Sequence, residues 1–410
     1  MLPRPQLTLL LLSILLAILA ITTIPSRLIT RLSLFAHHLL HPAPTTNNIL
    51  KKHNYTTMAY EKELHLAQLA VQRATLLTRR VYAAKSKGTL SKSDASPVTI
   101  GDFGAQALII AAIKHAFPSD EVVGEEDADD LRTNEVLRSH IWELVQEAKL
   151  DDAEAEAVLG GPIKDADAML TALDAGRSAG GAKGRIWALD PIDGTKGFLR
   201  GGQYAVCLAL MVDGEVKVGV LGCPNLPVDD KERLDTGIGA DQTDADGKGV
   251  LFSAVLGQGA TSRPLTRGTL AEGTSIKMKP LEDITQATFC ESVEAGHSSH
   301  GDQAAIAEKL GITKESVRMD SQAKYASIAR GAGDLYLRLP TSKTYQEKIW
   351  DHAAGVVIVG EAGGTVTDAW GKKLDFSIGR TLSGNKGVVA APKAIHPEVI
   401  KVVIEVLGSK

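Results

Sequence analysis

Leu189-Asp190-Pro191-Ile192-Asp193-Gly194-Thr195 is the stretch on which the reading of this chain turns. It continues the apolar run Ile186-Trp187-Ala188, so a strand delivers Asp190 at its end. Pro191 fixes φ and turns the chain, Asp193 points back towards the same spot, and Gly194 permits close backbone approach. Two carboxylates three residues apart, with a backbone carbonyl between them, form an oxygen-rich nest suited to a hard cation such as Mg²⁺. The N–H groups of Gly194 and Thr195 then face an anion, at the start of a short helical turn. A single Asp-Pro or Asp-Gly pair is ordinary turn chemistry. Here it has company. Asp102, the Glu125-Glu126 pair and Asp351 also stand at the ends of apolar elements, where an open α/β scaffold exposes a cleft.

Towards the N-terminus, Leu64, Ala67, Leu69, Val71, Ala74 and Leu77 share one helical face after residue 60. A second helix is predicted over 102–117, closed by Pro118, followed by a short strand at Val122-Val123. Residues 128–183 alternate acids with alanine and glycine and read as a helix-and-loop excursion. Strands at 186–189, 204–212, 215–222 and 251–256 form a meander interrupted by a polar insertion at 229–249. A linker near 260–284 leads to strands at 288–293, 335–339 and 388–390, with helices at 302–310, 321–330 and 351–362. Helices alternating with strands predict a layered α/β fold. Asp102 and Asp351 each stand at a predicted helix start, where capping is the ordinary role.

The chain has 410 residues, 44% apolar and 23% charged, which excludes a wholly disordered protein and points to two domains. A net charge of −4 argues against broad nucleic-acid binding. Residues 1–57 carry five basic side chains and no acid, which leaves 40 basic against 49 acidic groups, a net of −9, in the remainder. Within that leader, residues 7–24 form an uncharged apolar run at the lower limit for a membrane-spanning helix. A membrane anchor and a mitochondrial or other organellar targeting segment both fit it, and Arg4, Arg27 and Arg31 on both flanks do not decide orientation. Cys207, Cys223 and Cys290 form no CxxC pair, so they read as buried apolar residues of a cytoplasmic or organelle-matrix protein. The calcium-loop pattern at 242–247 lacks its first aspartate and has Ser253 at its twelfth position. No phosphate-loop or dinucleotide-binding glycine pattern occurs, and His297 and His300 lack the further soft ligands of a zinc site.

The blocks Asp94 to Thr99 (DASPVT), Val122 to Glu126 (VVGEE), Asp190 to Gly201 (DPIDGTKGFLRG), Gly296 to His300 (GHSSH), Asp320 to Tyr325 (DSQAKY) and Tyr345 to Gly355 (YQEKIWDHAAG) occur in this order. The set resembles the fungal 3′(2′),5′-bisphosphate nucleotidases of the inositol monophosphatase superfamily, over nearly all of residues 58–405. The resemblance implies an αβαβα sandwich of two domains, 58–280 binding metal and 281–410 binding substrate, behind the 1–57 leader. It implies a lithium-sensitive phosphatase of sulfate assimilation that uses two or three Mg²⁺ ions. Its substrate would be adenosine 3′,5′-bisphosphate, cleaved to AMP and phosphate, with the 3′-phosphoadenylyl sulfate analogue also accepted. By the same likeness Glu125, Asp190 and the Ile192 carbonyl hold one cation, and Asp190, Asp193 and Asp351 hold a second. Thr195, linked to Asp102, handles the proton of the attacking water. His297, Ser321, Lys324 and Arg338 contact the nucleotide together with Thr195 and Asp351. An inositol mono- or polyphosphate phosphatase of the same fold and an inactive nucleotide-binding sensor are the alternatives. The first has only one phosphate to satisfy when its ester is a monophosphate, so Lys324 and Arg338 together argue for the nucleotide.

Overall fold

The apolar face after residue 60 folds as helix α1 (Glu61–Ala83), which buries Leu66, Leu69, Ala70, Val71, Ala74 and Leu77. The computed structural model describes residues 59–84, 89–91, 97–229, 247–294, 296–342 and 344–408. The leader with its 7–24 run, residues 94–96 and most of the 229–249 insertion, including 242–246 of the calcium-like loop, lie outside the described residues. Among the described residues no helix is long and apolar enough to cross a membrane.

After α1, strands β1 (Thr89–Ser91) and β2 (Pro97–Thr99) pair antiparallel and lead into α2 (Ile100–Ala116). Strand β3 (Glu121–Gly124) then precedes the acid–alanine excursion. That excursion folds as α3 (Asp129–Thr133), α4 (Glu135–Glu147), α5 (Ala153–Val158) and α6 (Ala166–Asp174). Its polar residues open three of these helices: Asn134, Asp152 and Asp165 accept the N–H of Leu137, Ala155 and Ala168 at 3.0, 2.7 and 2.8 Å. Buried Arg73 of α1 ties the excursion down by pairing with Glu156 at 3.1 Å.

Next come β4 (Arg185–Asp193), α7 (Thr195–Arg200), β5 (Ala205–Val212), β6 (Glu215–Pro227) and β7 (Lys248–Val255). The predicted linker is instead two more strands, β8 (Ala260–Pro264) and β9 (Thr274–Ile276), which extend the sheet antiparallel. Their short, polar, half-exposed sequences lack the apolar alternation that marks a strand, so pairing to β7 rather than propensity makes them. The seven strands run β3-β4-β5-β6-β7-β8-β9, parallel only between β3 and β4.

The rest of the chain adds β10 (Phe289–Glu291), α8 (His300–Lys309), β11 (Val317–Arg318), α9 (Ala323–Ala329) and β12 (Leu335–Arg338). It ends with α10 (Ala353–Glu361), β13 (Gly364–Thr367), β14 (Val388–Pro392) and α11 (His396–Gly408). Five strands form a second, mixed sheet in the order β11-β10-β12-β14-β13. Helix α11 and strands β11 and β13 are absent from the sequence reading.

The layers follow from the pleat. In β4, Trp187 and Leu189 face α1 and α2, whereas Ile186 and Ala188 face α9 and α10. The second sheet covers the far side of α9 and α10, with Cys290, Tyr336 and Ala390 in that shared core. Its other face, with Phe289, Leu335, Leu337 and Val389, is closed by α8 and α11. The result is an αβαβα sandwich, the α/β layered arrangement expected.

Candidate active site

Alternation along β4 sends Asp190 to the face of Ala188, towards the middle helical layer. Asp193 would by the same alternation point to the opposite face. It does not, because a bulge adds one residue: Asp190 pairs with Cys207 while Asp193 pairs with Ala205. Cys207 and Ala205 share a face, so both carboxylates reach the same side of the sheet. Pro191, with no N–H to lose, sits inside the irregularity. The Asp190 carboxylate accepts the Ile192 N–H at 3.1 Å and braces the bulge, so β4 runs on to Asp193 instead of ending at Asp190 as the sequence suggested. Gly194 follows with φ 86°, and a Cβ there would stand 3.0 Å from Ser321 Cβ. A side chain at this position would be strained and crowded at once. Thr195 opens α7, and its hydroxyl donates to the Ile192 carbonyl at 3.2 Å.

The second acidic corner is at the end of β3. Gln106, buried in α2, donates to the Glu126 carbonyl at 2.6 Å and accepts the Glu126 N–H at 3.0 Å. This two-point clamp fixes the peptide next to Glu125. Asp102 is not the helix cap that its position suggested, because α2 begins two residues earlier, at Ile100, directly after β2. It is buried in the first turn, and Asp102, Glu125 and Glu126 each bring a carboxylate oxygen within 4.8 Å of the others. Asp351, the third corner, is not a cap either. It ends a 3₁₀ turn (Ile349–Asp351), and His352 precedes α10. Asp190, Asp193 and Asp351 likewise bring oxygens within 4.8 Å of one another.

Such a cluster is electrostatically costly by itself. Burial, reinforced by Glu125, Asp193, Asp351 and Asp102, pushes the Asp190 carboxyl well above its ordinary range. Burial raises Asp193 to about 6, although Lys324 opposes it. Burial likewise raises Asp351 to about 7 against the pull of Arg338. A closely spaced, all-oxygen, anionic donor set with this unmet charge fits a hard divalent cation. The third acidic group, Glu347 with Asp351 and His352, does not fit. Glu347 is already matched by Arg338 Nε at 2.7 Å and His352 Nε2 at 3.3 Å, which makes it part of an ion-pair network.

The acidic corners floor a cavity of about 430 Å³. Its lining contains every site residue the sequence singled out except Asp102: Glu125, Asp190, Ile192, Asp193, Thr195, His297, Ser321, Lys324, Arg338 and Asp351. Asp102 lies beneath Glu125 in the buried carboxylate group described above. The substrate-contact candidates differ in what they touch. Lys324 is buried, donates to the Met319 and Ser321 carbonyls at 3.1 and 2.8 Å, and lies over the Tyr336 ring. Burial lowers it to about 8 despite Asp193 and Asp320. Ser321 adopts φ 67°, a left-handed backbone held by the Lys324 bond and by the Ala323 N–H donated to its own hydroxyl oxygen at 3.1 Å. Arg338 pairs with Glu347, donates to the Tyr345 hydroxyl at 3.3 Å and lies 3.7 Å from Asp351. His297, on the rim, is pushed down to about 4 by partial desolvation and by Arg338, Lys324 and Lys196.

Sequence reasoning missed Gln322, Glu347 and Arg380. Gln322 donates its N–H to Asp193 at 2.5 Å and its side-chain amide to the Trp350 carbonyl at 2.8 Å, and it accepts from Gly355 N at 3.0 Å. It therefore links the Asp193 corner to the Asp351 corner. Gln322 and Glu347 lie inside quoted blocks, so their proximity to candidate residues was a usable signal. Arg380 lies in no motif and carried none.

The layered fold and the acid-floored, cation-rimmed cavity define a hydrolase-like site for an anionic substrate. The chain belongs to the Inositol monophosphatase family, whose profile matches residues 59–407. It is 65% identical over 350 residues to a 3′(2′),5′-bisphosphate nucleotidase of Emericella nidulans, covering 85% of this chain and 99% of that protein. A 3′(2′),5′-bisphosphate nucleotidase of Schizosaccharomyces pombe is 50% identical over 349 residues, covering 84% of this chain and 95% of its own. Among solved structures, an IMPase of Thermotoga maritima superposes with a TM-score of 0.53 at 21% identity, covering 85% of this chain and 98% of that one. That likeness speaks for the fold.

Proposed function

We propose that this chain is a Mg²⁺-dependent 3′(2′),5′-bisphosphate nucleotidase that hydrolyses adenosine 3′,5′-bisphosphate to AMP and phosphate and also accepts 3′-phosphoadenylyl sulfate. The observation that carries the reading is one cavity with three clustered aspartates on its floor and Lys196, Arg338 and Lys348 around them. A doubly phosphorylated nucleotide needs both: anionic groups to bind cations at the scissile phosphate, and fixed positive charge for the second phosphate. The relatives named above share this activity in their names, over nearly their whole length.

In this reading Glu125, Asp190, the Ile192 carbonyl, Asp193 and Asp351 hold the cations. When bound, Mg²⁺ supplies Lewis-acid stabilisation of phosphoryl charge and lowers the pKa of water. The protein's own share is orientation. Thr195 directs its hydroxyl proton to the Ile192 carbonyl, which leaves its oxygen lone pairs to accept a hydrogen bond from the attacking water and orient it in the cavity. Asp102, buried beside Glu125, is the carboxylate assigned in this reading to take up that water's proton. Arg338, oriented by Glu347, offers the rest of its guanidinium to a phosphate.

The test is phosphate release from adenosine 3′,5′-bisphosphate against inositol 1-phosphate in Mg²⁺. The nucleotide is expected to be turned over faster. Equal or faster release from the inositol ester would sink the assignment.

A further inference from the structure

Arg380 lies far in sequence from every acidic corner, yet its side chain reaches two of them. Its Nη2 donates to the Gly124 carbonyl at 2.6 Å, and its Nη1 donates to the Ser178 and Gly176 carbonyls at 3.0 and 3.4 Å. The Gly124 carbonyl belongs to the peptide unit that begins Glu125, so this bond restrains the backbone from which that carboxylate springs. The same guanidinium lies 4.9 Å from the Trp350 ring centroid, and Trp350 directly precedes Asp351.

Its backbone completes the strap. Ile349 N donates to the Arg380 carbonyl at 3.2 Å, and Leu382 N donates to the Glu347 carbonyl at 2.8 Å. Lys348 and Thr381 pair as an antiparallel bridge, and the Thr381 hydroxyl donates to Gln346 at 3.0 Å. The segment 380–382 is thus laced to the strand-like approach to Asp351, while the Arg380 side chain grips the end of β3. Gln322 links the Asp193 and Asp351 corners, and Arg380 adds a bridge from the Glu125 peptide to the segment that carries Asp351.

We propose that Arg380 is a positioning residue that sets the separation of Glu125 and Asp351, and so determines how tightly the acidic floor binds a divalent cation. The proposal rests on the cation assignment given under the proposed function. Although Arg380 lines the cavity, three carbonyl bonds and the Trp350 face commit its guanidinium to the protein rather than to a phosphate. Its role in turnover is therefore indirect.

The experiment compares the full-length protein with Arg380→Met and Arg380→Lys by calorimetric titration with Mg²⁺ alone, and by nucleotide turnover as Mg²⁺ is varied. Orienting residues behind a metal site change affinity by about 10–100-fold, and Arg380→Met is expected to weaken Mg²⁺ binding within that range. Arg380→Lys, which can satisfy only part of the carbonyl set, should fall between the two. KM for the nucleotide at saturating Mg²⁺ should stay within about twofold, because uniform substrate binding is untouched. A raised KM with unchanged Mg²⁺ affinity would overturn the proposal in favour of a substrate contact. A lower melting temperature with unchanged Mg²⁺ affinity would overturn it in favour of a structural role. If Arg380→Met does not fold, an unchanged affinity in Arg380→Lys is equally fatal. Calorimetry keeps the two readings apart: tight Mg²⁺ binding without nucleotide turnover would sink the substrate assignment and leave this one standing.

Discussion

Replacing Glu347 by glutamine removes one negative charge and little volume from the network that aims Arg338. Glu347 is 8% exposed, pairs with Arg338 at 2.7 Å and is hydrogen-bonded to His352 Nε2 at 3.3 Å. Burial alone would raise its carboxyl, but Arg338 and His352 override burial and hold it at about 2, against an ordinary 4.5. At about 1.4 kcal/mol per pH unit, that gap corresponds to about 3 kcal/mol of stability at neutral pH. The sign follows from linkage. The folded value is depressed, so the stabilisation is complete above the unfolded pKa and is lost as pH falls through 4.5 towards 2. Urea unfolding of both proteins in metal-free buffer reads the difference directly. Glu347→Gln should be less stable by about 3 kcal/mol near neutrality, with the two proteins converging in acid as both carry a neutral side chain. Other carboxylates titrate in the same range in both proteins, and the difference between them cancels that background. A stability gap that is the same near neutrality and in acid would refute the reasoning, as would no gap at all.

Two further outcomes follow from the acidic floor. Asp351 has a folded value of about 7, above its ordinary 3.8, so as an anion it destabilises the cation-free protein increasingly as pH rises through that window. Asp351→Asn should therefore melt a few degrees higher than the parent in chelator at mildly alkaline pH, and gain less from added Mg²⁺; equal gains in both proteins would remove Asp351 from the cation set. Gly194→Ala places a Cβ at φ 86° and 3.0 Å from Ser321 Cβ. It should cost about 1–3 kcal/mol in thermal or urea unfolding and lower turnover more than Mg²⁺ affinity, and an unchanged kcat would show that the turn tolerates displacement.

Much of the site was legible because turn chemistry and charge sit next to each other in the chain. Asp190, Pro191, Asp193 and Gly194 announce two carboxylates at a change of chain direction. The structure keeps Asp190 to Asp193 in β4 as a bulged strand and turns the chain only at Gly194, yet still brings both carboxylates to one side. The capping roles considered for Asp102 and Asp351 were wrong for one physical reason. A helix start is set by where the preceding strand or turn releases the chain, and α2 begins at Ile100 while α10 begins at Ala353. Strands β8 and β9 escaped notice because their identity comes from neighbours. Polar Ala260–Pro264 becomes a strand by pairing with β7, whereas α11 carries a local signal, Val399, Val403 and Val406 at helical spacing, and was legible without its neighbours.

The sequence by itself determined the donor inventory: which carboxylates exist, which turns present them, and the layered α/β class that exposes strand ends. These are properties of residues within a few positions of one another, where backbone sterics and side-chain chemistry act locally. Tertiary structure alone decided the facing and the spacing. One extra residue in β4, counted against β5, turns Asp193 to the side of Asp190. Gln322, Glu347 and Arg380 then hold the corners together across separations in sequence of up to 256 residues. Such contacts leave no periodic trace, because a single guanidinium or amide gripping a distant carbonyl depends on packing in three dimensions rather than on its neighbours in the chain.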